Sequence, residues 1–295
     1  MKENVLMKRM QHLAIGNTPI VYLEEYGVYA KLERNNPSGS VKDRPVYFMV
    51  IDAINRGKID EKTIMVESTS GNTGISLAWI GAQLGLKVIL TMPESVSVER
   101  RKVLRGLGAD LVLVENMSKA VEKAEEIVEA KDAFMLNQFD NPSNPLAHEL
   151  TTGPEILRQM NYNVDGFIAG VGTGGTITGT GKALKKFLRN KVKVVALEPK
   201  QSPVLSGGYS GLHMIQGIGA GFIPKVLDSE IIDEIVQIDD DEALEMTKKL
   251  WKKGIFVGIS SATNLLGAIY VREKYRLQKV VTIFCDDGFK YLSSF

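Results

Sequence analysis

Short apolar runs alternate with segments of helical period along most of the chain. The runs "TIMVES" (63–68), "KVILTMP" (87–93) and "DLVLVE" (110–115) read as buried strands, and each precedes a candidate helix: "NTGISLAWIGAQLG" (72–85), "SVERRKVLRGLG" (97–108) and "SKAVEKAEEIVEAK" (118–131). The alternation resumes with "GFIAGV" (166–171), "TITGTGKALKKFLR" (176–189), "KVVALEP" (193–199), "EIVQID" (234–239), helices over 240–253 and 261–275, and "KVVTIF" (279–284). This is the βαβ rhythm of a parallel sheet, so an α/β fold is expected. Between the two series lies "NQFDNPSNPLAHELTTGP" (137–154), crowded with Asn and Pro and expected to be a crossing between domains. No internal repeat, heptad array or low-complexity tract interrupts the pattern.

Composition narrows the function more than the fold. A chain of 295 residues suits two domains or one large α/β unit, and 44% hydrophobic with 24% charged residues is ordinary for a globular protein. The net charge of +1 supplies no field for nucleic acid or an anionic membrane. No segment approaches the ~20 apolar residues of a membrane span, and the N-terminus lacks a signal-peptide core, so a cytoplasmic location is expected. Cys285 is the only cysteine, and His12, His148 and His213 are far apart, which excludes an intrachain disulfide and argues against a metal centre.

In open α/β sheets ligands sit beyond the carboxyl ends of the strands, which directs attention to three loops. "GVGTGGT" (170–176) opens a helix directly after a strand; its glycines let N–H groups converge on an anion, and Thr173 and Thr176 add hydroxyls, so a phosphate is the natural guest. Gly170, Gly172 and Gly175 also satisfy G-x-G-x-x-G, with Glu198 ending the next strand, which leaves a dinucleotide-dependent oxidoreductase as a rival. "TSGNTG" (69–74) is dense in hydroxyl, amide and main-chain donors and suits a carboxylate. The third loop, "GISS" (258–261), precedes the helix at 261–275. Lys42 lies where the turn-rich "NNPSGSV" (35–41) runs into a helix, a place where the helix dipole gives a cation nothing. A phosphate loop, a carboxylate loop and an amine that forms Schiff bases together point to pyridoxal 5′-phosphate.

The motifs "NPSGSVKDR", "TSGNTGISLA", "NQFDNPSNP", "TTGPEI", "GTGGTITG", "QGIGAGFIP", "GISS" and "YLSS" occur in the order found in the cysteine synthases (O-acetylserine sulfhydrylases), and the chain resembles that family from about residue 12 onward. The resemblance implies a tryptophan synthase β-like, fold-type II pyridoxal-phosphate enzyme of two doubly wound parallel-sheet domains, usually a homodimer. A smaller mobile domain over 35–140 would carry the carboxylate loop, and a larger one over 1–34 and 141–295 the phosphate cup. Lys42 matches the Schiff-base lysine and catalytic base, and Asn72 the partner of the ring hydroxyl. Gly172, Thr173, Gly174, Gly175 and Thr176 match the phosphate cup, and Ser260 the residue at the pyridine nitrogen. Thr69, Ser70, Thr73 and Gln138 match the substrate-carboxylate site. The implied reaction is a β-replacement making L-cysteine from O-acetyl-L-serine and sulfide through an aminoacrylate.

Two departures from the family pattern stand out, the second bearing on the substrate. Ala262 replaces a glycine of the family pattern, and "CDDG" (285–288) is closer to a second isozyme type, so Asp286 and Asp287 are expected to influence the donor. O-phosphoserine sulfhydrylase and cystathionine β-synthase share the cofactor motifs and remain alternatives, as does a non-catalytic binding module. A serine acetyltransferase C-terminal tail is a candidate partner.

Overall fold

The computed structural model describes residues 5–69 and 71–295. In chain order the helices are α1 (Val5–Gln11), α2 (Asp43–Asn55), α3 (Asn72–Leu84), α4 (Val98–Gly106), α5 (Met117–Lys131), α6 (Ser143–Ala147), α7 (Gly153–Gln159), α8 (Gly175–Leu188), α9 (Asp240–Lys252) and α10 (Ile259–Tyr275). The strands are β1 (Ile20–Leu23), β2 (Val28–Leu32), β3 (Ile64–Ser68), β4 (Lys87–Pro93), β5 (Asp110–Val114), β6 (Phe134–Met135), β7 (Gly166–Gly170), β8 (Lys193–Pro199), β9 (Glu234–Ile238) and β10 (Val280–Phe284). Local chemistry sets several helix starts: the side chains of Ser97, Asn116 and Asp239 each accept a main-chain N–H at the first turn of α4, α5 and α9. Helix α3 stops at Gly85, whose φ of 73° is open to glycine at little cost.

The chain divides into two compact units. The first comprises residues 5–15 and 42–143 and holds a parallel four-stranded sheet in the order β5-β4-β3-β6. Alternate residues of its strands face opposite ways: Met65, Val88 and Leu90 pack with Val46 and Val50 of α2 and Leu77 and Ile80 of α3, whereas Val66 and Ile89 pack with Ala124 and Ile127 of α5. Helices therefore cover both faces, the doubly wound arrangement. The smaller domain was expected over 35–140 and the larger over 1–34 and 141–295; the division differs in that 5–15 and 141–143 belong to the first unit and 35–41 to the second. Leu6 and Met10 are buried in the core formed by α2 and α3, because α1 places both on one face.

The second unit, residues 16–41 and 144–295, is built on six strands in the order β1-β2-β10-β7-β8-β9. All neighbours are parallel except β1 and β2, which form an antiparallel hairpin at one edge. Ile168, Val195 and Val280 face Leu265 and Ala268 of α10, and Phe167, Val194 and Val281 face Ile156 of α7 and Ile177 of α8. The Asn- and Pro-rich stretch expected as a crossing does contain the division between the units, but from Ser143 onward it is helical. Helix α6, a π-helical turn (His148–Thr152) and α7 run on without a break. Pro154 has no N–H to give the preceding turn, and the widened turn sits immediately before it.

A buried ion pair braces this second unit. Lys31 Nζ lies 2.8 Å from Glu155 Oε2 and donates to the Thr18 carbonyl and Gln159 Oε1 at 2.9 and 3.0 Å, with both charged side chains almost wholly buried. Glu155→Ala is expected to cost about 3–5 kcal/mol in a urea unfolding experiment, because it strands the lysine charge. The double variant Lys31→Met, Glu155→Leu should lose less than about half of that, since it removes both charges together.

Candidate active site

The amine anticipated as the nucleophile stands at the start of α2. Lys42 occupies the N-cap position with helical dihedrals and makes no side-chain cap, and Asp43 follows as the acid suited to the positive end of the helix. Asp43 is fully buried and accepts a 2.5 Å hydrogen bond from Ser76 Oγ, which ties the first turn of α2 to the second turn of α3.

Strand β3 delivers the loop that opens α3. Thr69 N–H donates to the Thr91 carbonyl at 3.1 Å, continuing the sheet one step past the strand, and Gly71 N–H donates to Thr69 Oγ1 at 3.3 Å. Gly71 is extended (φ −108°, ψ −156°) and the helix starts at Asn72. Thr73 Oγ1 donates to Gln138 Oε1 at 2.6 Å, and both residues are buried. That bond turns the carbonyl end of the Gln138 amide toward Thr73 and its NH2 end the other way, as a carboxylate acceptor requires. Thr69, Asn72, Thr73 and Gln138 are thus gathered in the first unit with Lys42; Ser70 lies outside the described residues.

Sequence reasoning missed Glu67. Its carboxylate is 4% exposed and accepts the main-chain N–H groups of Leu136 and Asn137 on Oε2 at 3.1 and 3.2 Å, and of Gln138 on Oε1 at 3.5 Å. Burial pushes its pKa from 4.5 up to about 7, against the opposing pull of the three N–H groups. The available signal was a charge directly after the apolar run Ile64–Val66, before the strand ends at Ser68.

In the second unit, β7 feeds the glycine loop into α8. Gly174 has φ +85° and supplies the left-handed turn before the helix. A Cβ on Gly172 would lie 2.4 Å from the Gly217 carbonyl oxygen, so the loop passes where only glycine fits. No acidic residue occupies the first turn of α8. The threonine hydroxyls are held from the 143–152 stretch: Asn144 Nδ2 donates to Thr173 Oγ1 at 3.0 Å, and His148 Nε2 lies 3.3 Å from Thr176 Oγ1. A glycine cradle at a helix N-terminus with two positioned hydroxyls fits a phosphate dianion.

Ser260 is the second residue of α10 and is 4% exposed; a Cβ on Gly217 would lie 3.7 Å from its Oγ, so the "QGIGAGFIP" segment runs beside both Ser260 and the glycine loop. Two unanticipated neighbours fasten this arrangement. Asn264 accepts from Gly170 N–H at 2.7 Å and donates to the Ile283 carbonyl at 2.8 Å, and Ser261 Oγ accepts from Cys285 N–H at 2.9 Å. The first turns of α10 thereby join the ends of β7 and β10.

Three further residues acquire structural partners. Glu198, the acid that a dinucleotide site would use for a ribose, accepts from Leu205 N–H, Ser206 N–H and Ser206 Oγ in its own post-strand turn. Asp286 is buried and accepts from Tyr291 OH at 2.6 Å, and Asp287 accepts from Phe289 N–H at 2.9 Å as the cap of the final 3₁₀ turn (Gly288–Ser294).

A glycine cradle at a helix start and a lysine at the head of α2 are what a phosphate-bearing aldehyde cofactor would need, and residues 12–286 match the family described as pyridoxal-phosphate dependent enzyme. The chain belongs to that family, and its cofactor is pyridoxal 5′-phosphate. It is 48% identical over 286 residues to cysteine synthase B of Campylobacter jejuni, covering 95% of each chain. In structure it is similar to a cysteine synthase (OASS) from Entamoeba histolytica, with a TM-score of 0.92, 36% identity, and coverage of 100% of this chain and 91% of that one. It is also similar to an O-acetylserine dependent cystathionine beta-synthase from Helicobacter pylori, with a TM-score of 0.87, 39% identity and coverage of 96% of both chains.

Glu67 makes stability depend on pH in a defined direction. Its folded-state pKa is about 7 against 4.5 in the unfolded chain, so between those values the folded protein retains a proton that the unfolded chain releases. The contribution is present below pH 4.5 and lost as the pH rises through about 7, at most about 3 kcal/mol. Urea unfolding at the two ends of that range should show the wild type losing more stability than Glu67→Gln as the pH rises; equal losses would refute the assignment.

Proposed function

We propose that the protein forms L-cysteine by β-replacement on O-acetyl-L-serine with sulfide. The carrying observation is that the lysine, the carboxylate loop and the glycine cradle are all present in a chain 48% identical to a cysteine synthase over 95% of its length. The bound cofactor supplies an aldehyde carbon conjugated to an electron-withdrawing ring, which acidifies the α-proton of the amino acid attached there. Lys42 would be the residue that holds the cofactor through its amine between turnovers, and its amine would remove the α-proton of the amino acid and return it once the new bond is made. Main-chain N–H groups of Gly172–Thr176, with the hydroxyls of Thr173 and Thr176, hold the phosphate. Asn72 would hold the ring hydroxyl, and Ser260 would offer the ring nitrogen a neutral hydroxyl rather than an acid. Thr69, Ser70, Thr73 and Gln138 bind the substrate carboxylate and so orient the Cα–H bond toward Lys42. The β-carbon loses acetate with its bonding electrons and gains the sulfur of the nucleophile.

An acetyl ester suits the chain better than a phosphoryl ester. The neighbourhood of "TSGNTG" in the sequence carries no arginine cluster for a dianion, and Arg44 is buried on the first turn of α2. The structural likeness to an O-acetylserine dependent cystathionine beta-synthase favours a second reading, in which homocysteine replaces sulfide with the same donor. The resemblance further supports a cytoplasmic homodimer with a serine acetyltransferase tail as candidate partner. No helix among the described residues is long and apolar enough to cross a membrane.

Assays of O-acetylserine and O-phosphoserine with sulfide at one pH should give the higher kcat/KM for O-acetylserine. A preference for O-phosphoserine would overturn the donor assignment, and faster turnover with homocysteine than with sulfide would favour the second reading. Lys42→Ala should keep the fold but lose the borohydride-fixable link between cofactor and protein, together with turnover. A fixable link persisting in that variant would assign the role to another lysine.

A further inference from the structure

Where β6 ends, the chain must turn away and its main-chain donors need new acceptors. The pairing of β3 with β6 consists of Met65 with Phe134 and Val66 with Met135, and it stops there. The next residue of β3 is Glu67, and its side chain takes the N–H groups of Leu136, Asn137 and Gln138. A carboxylate has acceptor sites only, so it can receive all three, whereas an amide would turn its NH2 toward one of them. Asn137 has φ +56°, a left-handed conformation with a modest cost that local bonds must hold. Asn141 Nδ2 adds a bond to the Leu136 carbonyl from the other side of the turn.

The carboxylate loop is referenced to the same strand. Glu67 and Thr69 are two residues apart on β3 and its continuation, and the Thr73–Gln138 bond closes a circuit: β3, the bond between Thr69 Oγ1 and Gly71 N–H, the start of α3, Gln138, and back through Glu67. Both arms of the site thus hang from one strand end, and Glu67 links the second arm to it.

We infer that Glu67 is a positioning residue for substrate binding: it fixes the Leu136–Gln138 main chain so that the Gln138 amide meets the carboxylate of the amino-acid substrate. This rests on the function proposed above, in which Gln138 touches that carboxylate. Glu67 itself touches neither substrate nor cofactor.

The test uses the cofactor-loaded protein at a pH of about 8.5, above the range in which Glu67 titrates. Glu67→Gln should raise KM for O-acetylserine about tenfold while kcat stays within about twofold, the split expected when binding rather than chemistry is lost. Visible absorbance of the bound cofactor should be unchanged. The dissociation constant of L-serine, read from the absorbance change on its addition, should weaken by a similar factor. In a Gln138→Ala background, Glu67→Gln should add less than about twofold, because the group it positions is gone. Should Glu67→Gln fold poorly, Glu67→Asp retains a carboxylate one methylene short and should show the same KM effect. Equal penalties in both backgrounds, or lost cofactor absorbance with KM unmoved, would overturn the inference. An inactive wild type that still binds L-serine would instead count against the function, and the binding comparison would still test Glu67.

Discussion

Main-chain N–H groups left over where parallel strands stop are the constraint around which both units are arranged. A sheet satisfies its own donors only as far as the ladder runs, and a buried donor without an acceptor costs about 1–3 kcal/mol. In the first unit Glu67 takes three such groups beyond β6; in the second, Asn264 and Ser261 take those of Gly170 and Cys285. The strand ends are also where ligands bind in open α/β sheets, so the side chains that complete the sheets are the ones that fix the functional loops.

Those loops are shaped by close approach as much as by hydrogen bonding. The glycine at 172 admits the Gly217 carbonyl to a distance no side chain allows, and a Cβ on Gly175 would lie 1.9 Å from Asn144 Oδ1. The loop therefore lies main chain against main chain with the "QGIGAGFIP" segment, and against the Asn144 side chain of the 143–152 stretch. The π-helical turn at His148–Thr152 belongs to this contact, since His148 reaches both Thr152 and Thr176 from it. Helix widening of this kind is frequent at functional sites.

Electrostatics distinguishes the two loops by the anion each would suit. The start of α8 offers a helix terminus without acids, suited to the permanent charge of a phosphate. The "TSGNTG" loop and Gln138 offer hydroxyl and amide donors, suited to a carboxylate that arrives and leaves each cycle. Glu67 holds the Leu136–Gln138 main chain through three N–H groups, while its burial pushes its pKa up to about 7.

The sequence alone determined the order of strands and helices in both series, the two glycine- and hydroxyl-rich loops, and the lysine at the head of α2. Each of these is written in local terms, as period, punctuation and residue type. Resemblance to the cysteine synthases then supplied roles residue by residue. Tertiary structure decided what depends on distance along the chain: that residues 5–15 pack with α2 and α3, that β1 and β2 form an edge hairpin, and that the Asn- and Pro-rich stretch becomes helix from Ser143. It also showed that Glu198 is spent on its own turn, and that Glu67, Asn264 and Asn144 hold the loops whose residues were legible. The roles of these last residues were not legible because a supporting hydrogen bond spans 69, 94 or 29 positions, and no local pattern records where its partner will be.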